Sequence, residues 1–283
     1  MYCSSSYRPS SRDIFCDKVY CPKKNHVFCN NVKPMHSGFL GRTPSKINLT
    51  DEHKQLILDT HNELRNIIAT GRPQLINLAG ESFPRALNMY KLVWNDELEW
   101  QAGLNAATCS ANHDCTSTQT FTFAGQNLAM RVSSLPIRNI TLHLRDSIRK
   151  VIDAYSGNVI KHSSEFSKEE SDRVEEIIKP TRLVNVNGHF TALVKGQTSK
   201  IGCSYYSCGQ VTEVMRYSMY LVCVYENTNM IGEDSYIYGN SSYICDRSQK
   251  YCGLCLDSSD NEEFEEQICK ESDIDFHSFG KTK

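Results

Sequence analysis

The sequence is most informative at Gly188-His189-Phe190-Thr191-Ala192-Leu193-Val194, which is followed shortly by Ile201-Gly202-Cys203. A histidine stands inside an apolar run, and a cysteine follows a few residues later. This pattern predicts a β-strand over residues 188–195, with the histidine on one face and a disulfide anchor beyond its end. A second histidine, His113, also lies close to a cysteine, and the two histidines are the first candidates for chemistry.

The cysteine content indicates the cellular compartment. The chain has 283 residues, of which 13 are cysteines arranged in clusters. Such a content favours an oxidising compartment and a disulfide framework, so we expect a secreted, extracellular protein. The N-terminus, Met1-Tyr2-Cys3-Ser4, is polar and shows no apolar signal core, so secretion is inferred from the cysteines alone. An odd count leaves at least one thiol unpaired or intermolecular.

Charge and hydropathy exclude several classes of protein. The net charge is −2, which does not suggest a binder of nucleic acid or of a membrane surface. No apolar run approaches the roughly 20 residues of a membrane span. Three sequons agree with a secreted glycoprotein, and they lie at Asn48, Asn139 and Asn240.

Periodicity places helices early and strands late. A cap at Thr50, helical spacing and a stop at Gly71 predict the first helix. A second helix is predicted from Asn95 to Cys109, and a third from Leu142 to Tyr155. Strand or turn is predicted from Phe121 to Met130, and further strands at residues 200–207 and 216–225. Residues 161–182 and the acidic run Glu262–Glu266 read as solvated charge. This order predicts an α+β fold.

Five segments resemble the motifs of the CAP superfamily, which comprises cysteine-rich secretory, antigen 5 and pathogenesis-related proteins. Their order along the chain is what makes the resemblance specific. The resemblance is strongest to insect venom allergen antigen 5-like proteins, although Lys195 and Val224 depart from the usual Trp and Asn. The five segments are Leu58–Arg65, Met89–Leu98, Gly125–Ala129, Gly188–Val194 and Tyr220–Tyr225.

The resemblance implies a three-layer α-β-α sandwich of the CAP (SCP) type. It implies three parts: a Cys-containing leader at residues 1–50, a CAP domain at 51–235 and an acidic Cys-containing tail at 236–283. Insect saliva or venom is the expected source.

The resemblance also implies disulfides. Four pairs are expected: Cys16–Cys29, Cys21–Cys115, Cys203–Cys223 and Cys245–Cys255. Cys109 lacks the leader cysteine that pairs with it in the family, so it is expected to be free or to use Cys3. Cys208, Cys252 and Cys269 are additional cysteines.

The family cleft gathers two histidines and two glutamates, and in some members it binds a divalent metal. The histidines map to His113 and His189, whereas the glutamates map to Gln126 and Ala154. Two readings remain open: a weak two-histidine metal or anion site, and a hydrogen-bonded pair inside a vestigial cleft. The second is preferred, because catalytic zinc usually has three protein ligands and no carboxylate base is present. The sequence thus predicts no catalytic residues and no required cofactor, with weak zinc binding at His113 and His189 as the alternative.

The function expected from the resemblance is binding without catalysis. The ligand would be a small hydrophobic molecule (a lipid, a sterol or an eicosanoid) or a host extracellular protein. One alternative is a metal-dependent hydrolase that uses His113 and His189. Another is an interaction protein that forms disulfide-linked dimers through its odd cysteine. The chain is expected to be a monomer or a disulfide-linked dimer. His61, on the first helix, is expected to be a packed or capping residue.

Overall fold

The computed structural model describes residues 7, 13–16, 21, 26–30, 44–71, 83–155, 188–230, 232–239, 248 and 250–257. It describes no side chains at residues 13, 14, 28, 30 and 150–155. Within these ranges, no helix combines the length and the apolar character that crossing a bilayer requires.

Six helices and five strands form the described part of the fold. The helices are α1 (Asp13–Cys16), α2 (Val27–Asn30), α3 (Asp51–Thr70), α4 (Asp96–Ala106), α5 (Ile140–Tyr155) and α6 (Gly188–Leu193). The strands are β1 (Ser45–Ile47), β2 (Val93–Trp94), β3 (Gly125–Ser133), β4 (Lys200–Ser207) and β5 (Tyr217–Tyr225). The predictions for the helices at 51–71 and 142–155 and for the strands at 200–207 and 216–225 are confirmed to within two residues.

The first long helix, α3, is defined at both ends by local chemistry. The Thr50 hydroxyl accepts a hydrogen bond from the amide of His53, and His53 Nδ1 accepts one from the Thr50 amide. This reciprocal capping box satisfies two amides that the first turn leaves without helical partners. At the other end Gly71 has φ +69°, the left-handed conformation that glycine adopts without strain.

A single sheet separates two cores, and β5 contributes to both. Strands follow the order β1-β4-β5-β3, with antiparallel neighbours, while β2 runs parallel to β4. Because side chains alternate along a strand, Tyr220, Val222 and Val224 face one layer and Leu221 and Tyr225 face the other. Helix α4 covers the first face, and α3, α5 and α6 cover the second. The chain is therefore a three-layer α-β-α sandwich.

Helix α4 approaches β4 closely because β4 carries a glycine. A Cβ placed on Gly202 would lie 2.6 Å from the carbonyl oxygen of Asn95 and would overlap the backbone of Leu98 and Glu99. The side chain of Asn95 caps this helix by accepting from the Leu98 amide at 3.0 Å. The start of α4 thus rests directly on the sheet.

The prediction of a strand at residues 188–195 is wrong, since this segment forms the short helix α6. Helical bonding continues past its end, where the Val194 amide donates to the Phe190 carbonyl at 3.1 Å. Phe190 and Leu193 are buried under α3 and α5 in the core. A short apolar run has the same pattern whether it forms a buried strand or a buried helical turn, and tertiary packing decided the outcome here.

Four disulfides join described cysteines. Three are the pairs that the resemblance implies: Cys16–Cys29, Cys21–Cys115 and Cys203–Cys223. The fourth, Cys109–Cys208, corrects the expectation that Cys109 is free or bound to Cys3. The Cα atoms of this pair are 5.8 Å apart, because the end of α4 lies against the end of β4. That proximity arises only from the packing of α4 on the sheet.

The described parts of the predicted leader and tail pack onto the sandwich. Phe15 and His26 of the leader are buried, with ring centroids 4.8 Å apart. Tyr251 and Leu254 of the tail belong to the core beneath α3. Cys252 and Cys255 are both disulfide-bonded, but Cys245 lies outside the described residues, so the Cys245–Cys255 pair stays a prediction. The runs at 161–182 and 262–266 also lie outside the described residues, so their solvated character stays a prediction. The three-part division of the chain and the covalent dimer stay predictions as well.

Candidate functional site

The fold brings three of the four cleft positions together. His113 is exposed in the loop after α4, Gln126 lies near the start of β3, and His189 lies in α6. The ring centroids of the two histidines are 6.4 Å apart. Ala154 lies near the end of α5, and its side chain is outside the described residues, so its place in the cleft stays a prediction.

The tautomer of His113 follows from its hydrogen-bonding neighbours. Gln126 Nε2 donates to the Asp114 carboxylate at 2.8 Å, which turns Gln126 Oε1 towards His113 Nδ1 at 3.0 Å. An amide oxygen only accepts, so Nδ1 of His113 carries the proton and Nε2 keeps its lone pair. Gln126 therefore positions this imidazole.

Asp114 is a largely buried carboxylate behind the cleft. Besides the bond from Gln126, it accepts one from Asn105 Nδ2 at 2.7 Å, and Asn105 in turn accepts from the Tyr220 hydroxyl at 3.0 Å. Burial raises the pKa of Asp114, although the bonds from Gln126 and Asn105 oppose the shift. The chain Tyr220–Asn105–Asp114–Gln126 thus ties His113 to the sheet and to α4.

His189 is held through its main chain rather than through its ring. The Asn127 amide donates to the His189 carbonyl at 3.0 Å, and the Asn229 amide donates to the Gly188 carbonyl at 2.8 Å. Burial lowers the pKa of His189, which favours the neutral imidazole at physiological pH. His189 is therefore presented on a fixed backbone, whereas His113 is held through its ring by Gln126.

The cleft only partly fits a zinc ion. Two imidazoles bound to one tetrahedral zinc have centroids about 5 Å apart, so the two rings would need to approach by roughly 1 Å. Among the described residues, no group of three His, Cys, Asp or Glu side chains could hold a metal. The Gln126 oxygen is already engaged by His113. The arrangement could supply two ligands, one fewer than catalytic zinc sites use.

A small apolar pocket adjoins the cleft behind His189. Its volume is about 20 Å³, which accommodates one water molecule. Aliphatic side chains from four elements line it: Leu128, Ala129, Ile148, Leu193 and Leu221. Its polar wall is formed by His61, Asn127 and Tyr225.

The polar wall is a closed network of buried hydrogen bonds. His61 Nδ1 donates to the Ile57 carbonyl at 2.8 Å, so Nε2 accepts from the Tyr225 hydroxyl at 3.0 Å. The Asn127 amide donates to the same hydroxyl at 3.2 Å. Burial lowers the pKa of His61 to about 4, and its imidazole is therefore neutral at pH 7.

Sequence reasoning did not assign this network to a site. It expected His61 to be packed or to cap a helix, and His61 is indeed buried, but as part of a pocket wall. The available signal was a polar residue on the apolar face of α3, within the first of the five recognised segments. That signal does not reveal which strand residues His61 meets.

Both sequons within the described residues are accessible. Asn48, before α3, and Asn139, before α5, are exposed. Asn240 lies outside the described residues, and glycosylation of all three stays a prediction.

Comparison with known proteins assigns the chain to a family. The pattern of the CAP, or cysteine-rich secretory protein, family matches residues 58–225. Venom allergen-1 of Aedes albopictus is 35% identical over 71% of this chain and 72% of its own length. Salivary antigen-5 of Dipetalogaster maximus is 30% identical over 77% of this chain and 78% of its own length.

A solved structure shows the same fold. The crystal structure of NaASP2 with Zn²⁺ superposes with a TM-score of 0.53 at 24% identity, covering 73% of this chain and 96% of that one. The family pattern, the insect relatives and the α-β-α sandwich agree, and the chain belongs to the CAP family of cysteine-rich secretory proteins, where it is similar to insect venom allergens and antigen 5 proteins.

Proposed function

We propose that this protein is secreted and acts by binding a small hydrophobic ligand, such as a fatty acid, a sterol or an eicosanoid, without catalysing a reaction. The observation that carries the proposal is the apolar pocket between α3, α5, α6 and the sheet. Small-molecule sites are typically apolar concavities with a few fixed polar groups, and this pocket has that composition. Relatives named as venom or salivary proteins support secretion.

The proposal requires the pocket to widen. At about 20 Å³ it is far below the roughly 300 Å³ of typical ligand sites. The wall best placed to move is α5, which contributes Ser147 and Ile148 and packs on α3 at the protein surface. Separation of α5 from the sheet would extend the pocket along its aliphatic lining.

Binding rather than catalysis is favoured by the groups that face the cleft. Its described side chains are two imidazoles and one amide, and the nearby Asp114 accepts from Gln126 and Asn105 through one oxygen, while its other oxygen is buried away from solvent. General-base catalysis needs a group poised beside a substrate, and acyl transfer also needs an activated nucleophile. The described cleft offers only the histidines for such roles.

The test is lipid capture by the purified protein. Mass spectrometry of an organic extract should find a co-purified lipid, or fluorescence displacement should show uptake of a labelled fatty acid. Ala129→Leu should weaken uptake because it fills the pocket, whereas Val132→Leu, on the exposed part of the same strand, should not. Absence of both endogenous and added lipid in the wild-type protein would rule the proposal out.

A host protein surface is the second ligand class, and one exposed side chain favours it. Phe123 is 73% exposed, yet its backbone is fixed because its carbonyl accepts from the Thr228 amide at 2.7 Å. Aromatic residues, Phe among them, are enriched in protein–protein interfaces. Phe123→Ser should abolish binding to a host extracellular protein while leaving lipid uptake unchanged.

A weak two-histidine zinc site is the remaining candidate, and the proximity of His113 and His189 favours it. The alternative function, a metal-dependent hydrolase, would also require this zinc site. Calorimetry at pH 7.5 with zinc chloride, on the wild type and on His189→Ala, separates the hypotheses. Stoichiometric zinc binding that His189→Ala removes would support the metal site, and lack of zinc binding would exclude it.

A further inference from the structure

A second and larger pocket lies away from the histidine cleft. Its volume is about 560 Å³, within the range of roughly 300–1,000 Å³ that small-molecule sites occupy. Two segments of the chain form most of it: the loop after α6, with Lys195 and Gln197, and the segment 232–238. Asn88 completes the lining.

The walls of this pocket are held rigidly. Arg65, fully buried in α3, donates to the carbonyls of Leu193, Lys195, Gly196 and Thr198, and so fixes the first segment from below. The Gly196 amide donates to the Ser235 carbonyl at 2.7 Å, which joins the two segments. The Asn88 side chain accepts from the Ile237 amide at 2.9 Å. A ligand would therefore meet a preformed site.

Opposite charges lie next to each other in the pocket lining, at a distance longer than a close ion pair. The Lys195 side chain is only 12% exposed, and its Nζ lies 3.6 Å from an oxygen of Glu233, whose side chain is 59% exposed. A charge-assisted hydrogen bond normally spans about 2.7–2.9 Å, so this contact leaves both groups short of a full partner. Asp234 adds a second carboxylate to the lining.

We propose that this pocket binds a small zwitterion of the α-amino-acid class. Its carboxylate pairs with Lys195 and its ammonium with Glu233, which replaces one long contact by two close ones. The lining charges sum to −1 for Lys195, Glu233 and Asp234, so a simple anion meets repulsion, and a simple cation leaves Lys195 without a new partner. Tyr238, which is 51% exposed, offers ring surface for the remainder of the molecule.

Three matched probes test the ligand class: L-phenylalanine, 3-phenylpropionate and 2-phenylethylamine. They share a phenyl ring and carry both charges, the negative charge or the positive charge. Titration followed by ligand-observed NMR should show saturable binding of L-phenylalanine, with the other two at least about tenfold weaker. Lys195→Met should weaken L-phenylalanine binding by about tenfold or more, whereas Lys250→Met, outside the pocket, should leave it unchanged.

A further variant keeps the test decisive if Lys195→Met fails to fold. Glu233→Gln alters an exposed side chain and should weaken L-phenylalanine but not 3-phenylpropionate. Equal affinity for the three probes would overturn the proposal. So would the absence of saturable L-phenylalanine binding, or affinities that these substitutions leave unchanged.

Discussion

The imidazole Nε2 of His61 lies 3.0 Å from the phenolic oxygen of Tyr225, and both side chains are 1% exposed. His61 belongs to the first family motif and Tyr225 ends the last one, 164 residues later. Their bond joins α3 to the central strand through the layer that contains the apolar pocket. This hydrogen bond links the two motifs in the fold, because the buried imidazole of His61 and the buried hydroxyl of Tyr225 satisfy each other.

Tyr225→Phe should destabilise the protein. The substitution keeps the ring but leaves His61 Nε2 without its donor and Asn127 Nδ2 without one acceptor. Burying such groups unsatisfied costs about 1–3 kcal/mol in the free energy of unfolding. Urea denaturation measures this, with Tyr217→Phe, at the edge of the core, as a control expected to change little. Equal midpoints for the two variants would contradict the assigned network.

Stability should fall as the pH is lowered from about 6.5 to about 4. Burial lowers the pKa of His61 and of His26 to about 4, against 6.5 when unfolded, although a backbone hydrogen bond opposes the shift in each case. Between these values the unfolded state binds more protons than the folded one, so each histidine contributes a loss of up to about 1.4 kcal/mol per pH unit. Below the folded-state pKa both states are protonated and the loss levels off.

The measurement is denaturation at several pH values together with NMR titration of the histidine ring protons. His61→Gln should flatten the pH dependence relative to wild type, because it removes one of the histidines whose pKa is lowered by burial. A His61 ring signal that titrates near pH 6.5 would show that the imidazole is not held neutral by burial.

Arg65→Lys should be poorly tolerated. The guanidinium of Arg65 donates to five main-chain carbonyls, those of Tyr90, Leu193, Lys195, Gly196 and Thr198. Burial lowers its pKa to about 9, which leaves it charged at pH 7. A lysine has three donors at one point and cannot reach this fan of acceptors. We expect a loss of about 3 kcal/mol or more in the free energy of unfolding.

Thermal unfolding followed by circular dichroism measures the effect. Arg216→Lys, on the exposed hairpin between β4 and β5, is the matched control and should leave the melting temperature unchanged. Similar melting temperatures for both variants would mean that the carbonyls around Arg65 are satisfied in some other way.

The sequence predicts most of the fold because its strongest signals are local. The cap at Thr50, the stop at Gly71 and the strand at residues 216–225 are set by neighbouring residues, and the structure contains all three. The prediction of a strand at 188–195 was wrong because an apolar run of this length fits a strand and a buried helical turn equally well. The contacts that decide between the two come from elements distant in sequence.

The site was less predictable for the same reason. The motifs indicated that His113, Gln126 and His189 share a cleft, but not that Asp114 orients Gln126 from behind. The Cys109–Cys208 pair depends on the packing of α4 against β4, which no spacing along the chain encodes. Hydrogen bonds and disulfides that depend on tertiary packing cannot be predicted from the sequence before the positions of the layers are known.

The Cys109–Cys208 disulfide should be detectable and stabilising. Peptide mapping without reduction should recover a linked peptide that contains both cysteines, which are 99 residues apart in sequence. Replacing both by serine should cost about 2–4 kcal/mol, since the bond restricts the unfolded chain. Recovery of Cys109 as a free thiol, or bound to Cys3, would contradict the structure.

Gly202→Ala should destabilise the sandwich far more than Gly103→Ala. A Cβ at Gly202 would overlap the backbone of Leu98 and Glu99, so α4 would have to move off the sheet. A Cβ at Gly103, inside α4 and also facing β4, would lie 3.4 Å from Ser204 Oγ, which is ordinary contact.

Alanine is also favoured over glycine in a helix by about 1 kcal/mol, so Gly103→Ala should be neutral or stabilising. Overpacking at Gly202 should cost about 3 kcal/mol or more in chemical denaturation, because the obstacle is main chain that cannot rotate away. Equal effects of the two alanines would show that α4 does not rest on β4 as closely as the structure places it.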